Sequence, residues 1–267
     1  FLEIAPQVEG TDKIYSQYGL GLAFLFLPIV LSGKVLASLG GIEQRLCIDF
    51  LLSFYNIPFA LLGLFFLRSI LIRLGASEGR ANATIALLGI ATAFWKYTVA
   101  DFSEVTQAAF LLGALNAVLS DNPRKWRKVS VWCALLVAMK LVYVALMPVF
   151  AIYAWRENAG HDFRQRTTIL LDFATALIPM GFLLAMANHL RFGSPFETGY
   201  GSQATSFAWE FFQRDWFDYL FSTQRGILPF NPILLAAIPG WLSFPREHRR
   251  FAGLCLSLIL VWFLLMC

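Results

Sequence analysis

The segment Leu46–Leu67, LCIDFLLSFYNIPFALLGLFFL, decides the class of fold. Only one of its 22 residues, Asp49, carries a charged side chain. A helix needs about 20 mainly apolar residues to cross the hydrocarbon core of a bilayer. The segment therefore predicts a membrane-spanning helix, and apolar runs on both sides of it predict several more.

The composition places the whole chain in the same class. Hydrophobic residues make up 58% and charged residues 14% of the sequence, and the mean hydropathy is +0.64. An ordinary soluble domain is about a quarter charged. We therefore predict an all-α, polytopic helical membrane protein. The net charge of +4 does not predict a nucleic-acid partner, because the basic residues are spread between apolar runs instead of lying on one face.

The cysteines give no sign of a metal site. None of the four lies in a CxxC pair, and no pair of histidines is near them. This pattern predicts buried apolar thiols instead of a zinc site or a disulfide framework. No metal or cofactor is predicted, although the sequence leaves a divalent ion open.

Further apolar runs follow one another with short polar connections. The first, Tyr18–Gly40, is either a short span or a helix lying partly in the interface, because Pro28 and Lys34 interrupt it. The other predicted helices are Ala81–Ala100, 105–120, Thr168–Leu190, Gly226–Phe244 and Phe251–Cys267. The chain begins without methionine and stops within an apolar run. We therefore expect residues 1–267 to be a single transmembrane domain, truncated at both ends and inactive by itself.

The segment Val129–Trp155 does not fit a single crossing. One span would place the basic loops before and after it on opposite sides of the membrane, against the positive-inside tendency. Its 27 residues are too few for two full crossings at about 20 residues each. We predict two short helices that turn near Lys140, which lies at the far interface or in a protein-lined cavity.

Charge then sorts the loops by side. The loops 68–80, 121–128, 156–166 and 246–250 hold 13 of the 21 basic residues, so they are predicted to be cytoplasmic. Segments 1–17, 101–104 and 191–232 hold 9 of the 17 acidic residues and are predicted to face the exterior. Residues 1–17 would end a first external loop, and 191–228 would form a second, long one.

The predicted external side also collects the polar residues best suited to chemistry. A carboxylate such as Asp101 or Glu104 can act as a general base toward a hydroxyl group, and a guanidinium group can clamp a phosphate. Arg191 and Arg225 lie at the two edges of the long loop. The alternatives are ordinary: solvated loop charges, helix capping by Asp101, and a Lys140 side chain that extends to the interface.

Two stretches carry a family resemblance. IYSQYGLG at 14–21 resembles the YSKYPPG segment of lipid-carrier-dependent glycosyltransferases of the GT-C type, which include protein O-mannosyltransferases and the aminoarabinose transferases of lipid A. LRFGSPFETGY at 190–200 is similar to the LRFGSPLETGY pattern of bacterial members, and LFS at 220–222, RG at 225–226 and FNP at 230–232 follow in the same order. These motifs cover about forty residues of the chain.

The resemblance implies an enzyme of the bacterial inner membrane that transfers a sugar from a polyprenyl-phosphate donor on the external face. The acceptor would be a lipid, a glycan or a protein. The positions that match family residues form three groups. Acids near the catalytic pocket correspond to Asp101 and Glu104, donor-phosphate contacts to Arg191, Arg225 and Lys140, and substrate-loop residues to Tyr15, Tyr18, Glu197 and Tyr200.

The sequence departs from the family pattern at two places. Gln17 replaces the lysine of the YSKY segment, so this position supplies no charge to a phosphate. The main catalytic aspartate of the family belongs to the first external loop, whose beginning is not in this sequence. A transporter or flippase of a lipid-linked saccharide, and a non-catalytic membrane subunit of the same fold, therefore stay open as alternatives.

Overall fold

The computed structural model of the protein describes residues 19–92, 94–99, 102–197, 209–224, 226–242 and 244–266. The described part is helical and contains no strand. Short 3₁₀ helices cover Leu141–Leu146, Pro232–Ala236 and Arg246–His248. The α-helices are α1 Leu20–Gly40, α2 Gln44–Leu52, α3 Asn56–Arg73, α4 Glu78–Ala91, α5 Phe94–Thr98, α6 Glu104–Val118, α7 Lys125–Met139, α8 Met147–Glu157, α9 Phe163–Ala174, α10 Leu177–Phe192, α11 Trp209–Phe221, α12 Ile227–Phe230, α13 Ala237–Leu242 and α14 Arg249–Met266.

The prediction of an all-α chain is confirmed for the described residues, and their apolar helices support the membrane class. Within the described residues, four helical stretches are long and apolar enough to cross a bilayer: Leu20–Gly40, Gln44–Arg73, Phe163–Phe192 and Arg246–Leu265. Large apolar side chains on their surfaces remain uncovered by protein; Leu39, for example, is 81% exposed. Such surfaces are unfavourable in water and suit a lipid environment.

Three predicted spans are less regular than their hydropathy suggested. The Leu46–Leu67 span is interrupted between α2 and α3, because Pro58 in the first turn of α3 lacks the N–H that would continue the helical ladder. The helix predicted for Ala81–Ala100 stops at Ala91, where the Thr92 hydroxyl donates to the Leu88 carbonyl and accepts from the Phe94 N–H. The Gly226–Phe244 segment is divided into α12, a 3₁₀ helix and α13, with prolines at 229, 232 and 239.

The described helices belong to two compact units. Residues 1–143 and 171–199 form the first unit, and residues 144–170 and 200–267 form the second. The first unit holds α1 to α7 and α10. The second holds α8, most of α9, and α11 to α14.

Helices α3, α6 and α7 form the core of the first unit. Small residues let the backbones approach: a Cβ atom added at Gly63 would lie 3.5 Å from the Ala109 Cα, and one at Gly113 would lie 2.7 Å from the Trp132 ring. Close packing at small residues is a principal source of helix association in a membrane. Helix α7 is covered on several sides, and Leu136 is fully buried.

Contacts at the helix ends fix the directions of the helices in the first unit. Helices α3 and α6 are parallel, because Asn56 meets Thr106 at one end while the Arg73 guanidinium donates to the Leu119 carbonyl at the other. Helix α7 is antiparallel to α6, since the Lys125 ammonium reaches the Val118 carbonyl. We call the end of the first unit where α6 begins and α7 stops the Glu104 end.

Helix α10 runs in the same direction as α7. Arg127 pairs with Asp172, and the Ser130 hydroxyl accepts from the N–H of Ala176, so the chain after 171 again lies beside the start of α7. The chain must therefore reverse between 140 and 171. This confirms the prediction that Val129–Trp155 is not one span: α7 stops at Met139, and α8 begins only after a 3₁₀ helix.

Candidate functional site

Glu104 opens α6 with an exposed carboxylate. An acidic side chain in the first turn of a helix is stabilised by the helix dipole, which accounts for part of its placement. The carboxylate makes no hydrogen bond or ion pair with any residue that the structure describes. It is therefore accessible, on the side predicted to face the exterior.

A buried asparagine holds the chain just before Glu104. The Asn56 Nδ2 donates to the carbonyls of Phe102, at 2.7 Å, and of Tyr97, at 3.2 Å. Its Oδ1 accepts from the Thr106 hydroxyl at 3.2 Å. Asn56 and Thr106 are both fully buried. One amide thus fixes Tyr97 and Phe102 to the start of α3.

A second polar chain connects Glu104 with the region of Lys140. The Tyr143 hydroxyl donates to the Gln107 Oε1, and the Gln107 Nε2 donates to the Ser103 hydroxyl; both distances are 2.6 Å. Gln107 and Tyr143 are buried. Because Ser103 directly precedes Glu104, these two hydrogen bonds fix the start of α6 relative to the 3₁₀ helix that follows Lys140.

Lys140 sits at the break between α7 and the 3₁₀ helix. Its backbone is extended, with φ −155° and ψ 119°, and its N–H still bonds the Leu136 carbonyl as the last link of α7. The residue is half-buried. Its ammonium group has no hydrogen bond or ion pair with the described residues. The structure thus places a cation in an apolar region at the Glu104 end.

Arg191 lies in the last turn of α10, at the same end of the first unit. Its Nη2 donates to the Asn188 Oδ1 at 2.9 Å, and its guanidinium lies 5.0 Å from the centre of the Phe192 ring. Gly193 ends the helix with a positive φ of 78°, a conformation that favours glycine. These contacts hold the guanidinium near the helix terminus.

A contact that sequence reasoning missed brings Gly19 and Gly21 to the Lys140 turn. A Cβ atom at Gly19 would overlap the Met139 carbonyl oxygen, and one at Gly21 would lie 2.9 Å from the Ala138 backbone. No larger residue fits at Gly19 without a shift of the backbone. The signal was present in the sequence, since two glycines opening an apolar run favour close backbone approach.

The remaining predicted site residues are only partly described. Glu197 is exposed, and its N–H donates to the Ser194 carbonyl at 3.3 Å. Asp101, Arg225, Tyr15, Tyr18 and Tyr200 lie outside the described residues. The structure therefore brings Glu104, Lys140 and Arg191 to one end of the first unit, while the other assignments stay predictions.

Comparison with protein-family models, with curated proteins and with solved structures finds no match. Among the described residues, no group of three or more His, Cys, Asp or Glu side chains is placed to hold a metal ion. What the arrangement offers chemically is one accessible carboxylate and two cations at one end of a helical membrane unit, supported by buried polar side chains.

Proposed function

We propose that the protein is a membrane glycosyltransferase of the GT-C type that takes a sugar from a polyprenyl-phosphate donor. The observation that carries the proposal is the grouping of Glu104, Lys140 and Arg191 at one end of the first unit. The motif at 190–200 is the sequence feature that points to this donor. We further propose the external face of a bacterial inner membrane as the location.

The residues have separate tasks in the proposed reaction. Lys140 and Arg191 neutralise the donor phosphate, since ammonium and guanidinium groups both bind phosphate oxygens. The acceptor hydroxyl oxygen attacks the anomeric carbon from the side opposite the phosphate. As the new carbon–oxygen bond forms, the bond to the phosphate oxygen breaks, and polyprenyl phosphate leaves with the electron pair. The anomeric configuration is inverted.

The acceptor must lose its proton in this step. A carboxylate within hydrogen-bond reach takes the proton as a general base, a task that typically contributes about 10² to 10⁴ in rate. Glu104 is accessible for it, and Asp101 is the second candidate from the sequence. In the family, a further acid of the first external loop carries the main catalytic task.

The test uses the full-length protein in lipid vesicles with a labelled polyprenyl-phosphate sugar. We expect donor binding and transfer of the label, with transfer reduced at least tenfold in Glu104→Gln. Glu78→Gln is the matched control, because Glu78 is also an exposed acid in the first turn of a helix, α4, and follows the opposite end of α3. Absence of both binding and transfer for every sugar tried refutes the proposal. Movement of the donor across the vesicle membrane without covalent change indicates a flippase.

A further inference from the structure

The second unit contains a cavity of about 650 Å³ between α8 and α14. Arg156, in the last turn of α8, and Arg250, in the first turn of α14, both line it. Glu157 and Tyr153 line the same cavity. None of these residues has a part in the proposed transfer reaction. Two guanidinium groups and one carboxylate give the cavity a net positive charge.

The position of the cavity points to the membrane boundary. Arg250 lies in the first turn of α14, near the start of a candidate span, so we expect its guanidinium close to the boundary of the hydrocarbon region. The two guanidinium groups therefore favour an anionic group at this end of the cavity.

The apolar lining of the cavity continues onto exposed apolar surface. Ile152 lines the cavity and is 54% exposed, and Leu264, about two turns along α14 from the lining residue Ser257 and on the same face of the helix, is 43% exposed. A water-soluble anion gains nothing from such surface. An acyl chain does, since burial of apolar area is favourable in proportion to its extent.

We propose that the cavity between α8 and α14 binds an anionic phospholipid, with its phosphate between Arg156 and Arg250 and an acyl chain along the apolar side. Basic pockets between membrane helices on the cytoplasmic side are known to hold such headgroups. Charge places the loops 156–166 and 246–250 on the cytoplasmic side, so this lipid is distinct from the donor on the external face. The bound lipid would join α8 to α14. The inference does not depend on the proposed glycosyl transfer.

The test is native mass spectrometry of the full chain released from detergent in the presence of equal amounts of phosphatidylglycerol and phosphatidylcholine. We expect the wild type to retain phosphatidylglycerol preferentially. Arg156→Gln and Arg250→Gln should each lower that preference roughly fivefold. Glu157→Gln should raise it, because it removes the one acid of the lining. Arg249→Gln is the matched control, since Arg249 precedes Arg250 on α14 and does not line the cavity.

A variant without charge change tests the cavity itself. Gly253 lines it, and a Cβ atom there would meet nothing within 4 Å, so Gly253→Leu adds an apolar side chain at an open position of the lining. We expect it to lose phosphatidylglycerol retention, whereas Gly181→Leu, at an equally open position on α10, should not. This pair keeps the test valid if an arginine variant fails to fold.

Three results would overturn the proposal. The first is a wild type that retains both lipids equally. The second is retention in Arg156→Gln, Arg250→Gln and Gly253→Leu that equals retention in the controls. The third is displacement of phosphatidylglycerol by inorganic phosphate at comparable concentration, which would assign the cavity to a free anion instead of a lipid.

Discussion

Asn56 is a buried polar side chain whose removal should destabilise the first unit. Replacing it with alanine removes two donated hydrogen bonds, to the Phe102 and Tyr97 carbonyls, and one accepted from Thr106. Hydrogen bonds between side chains of membrane helices average about 0.6 kcal/mol each, so three give about 2 kcal/mol. Acceptors left unsatisfied in a buried position cost about 1 to 3 kcal/mol each. We therefore expect Asn56→Ala to lower the free energy of unfolding by at least about 2 kcal/mol.

The assay is unfolding of the protein in lipid bicelles, followed by tryptophan fluorescence as denaturing detergent is added. Asn82→Ala is the matched control: Asn82 is an exposed asparagine of α4 whose Oδ1 accepts one bond, from the Arg68 Nε at 2.8 Å. We expect this control to lie within about 0.5 kcal/mol of wild type, as is usual for surface substitutions. Equal unfolding curves for Asn56→Ala and Asn82→Ala would refute the assignment of Asn56 as the side chain that holds Tyr97 and Phe102 to the start of α3.

Three further predictions concern the same end of the first unit. Gly19→Ala should destabilise the protein by about 1 to 3 kcal/mol in the same unfolding assay, because its Cβ would overlap the Met139 carbonyl, whereas Gly181→Ala should not destabilise it. Tyr143→Phe should lower the free energy of unfolding by about 1 kcal/mol, since the buried Gln107 Oε1 loses a 2.6 Å hydrogen bond. An unchanged unfolding midpoint would contradict this. Lys140→Met should weaken binding of a polyprenyl-phosphate sugar at least tenfold with little loss of stability, and Lys34→Met, on the exposed surface of α1, should leave binding unchanged.

The helical class and the turn near Lys140 could be predicted because both follow from simple counts. A crossing needs a fixed length of apolar chain, and two basic loops on one side require a reversal between them. The breaks within the predicted membrane spans were harder to predict. Thr92 stops α4 through hydrogen bonds of its own hydroxyl, and a hydropathy average over a window does not distinguish such a threonine from one that continues a helix.

The charged residues of the candidate site could be predicted from the sequence, whereas the buried polar residues that position them could not. Glu104 and Lys140 stand out because charge is rare in this sequence, and the structure places both at one end of the first unit. Asn56, Gln107 and Tyr143 are uncharged, and each lies in an otherwise apolar run. Their roles depend on partners 36 to 50 residues away along the chain, which no local pattern specifies.

Lys140 shows how magnitudes separate a structural from a ligand-binding role. A lysine at the centre of a membrane helix costs about 2.5 to 3.5 kcal/mol on insertion scales, and a half-buried position nearer the boundary costs less. The dipole at the C-terminus of α7 stabilises the Lys140 ammonium by about 0.3 to 1 kcal/mol, because a cation is favoured at that end of a helix. The dipole therefore offsets only part of the cost of placing a lysine at the centre of the membrane. A phosphate paired with the ammonium would offset the rest, and that is the physical reason to expect a larger effect of Lys140→Met on donor binding than on folding.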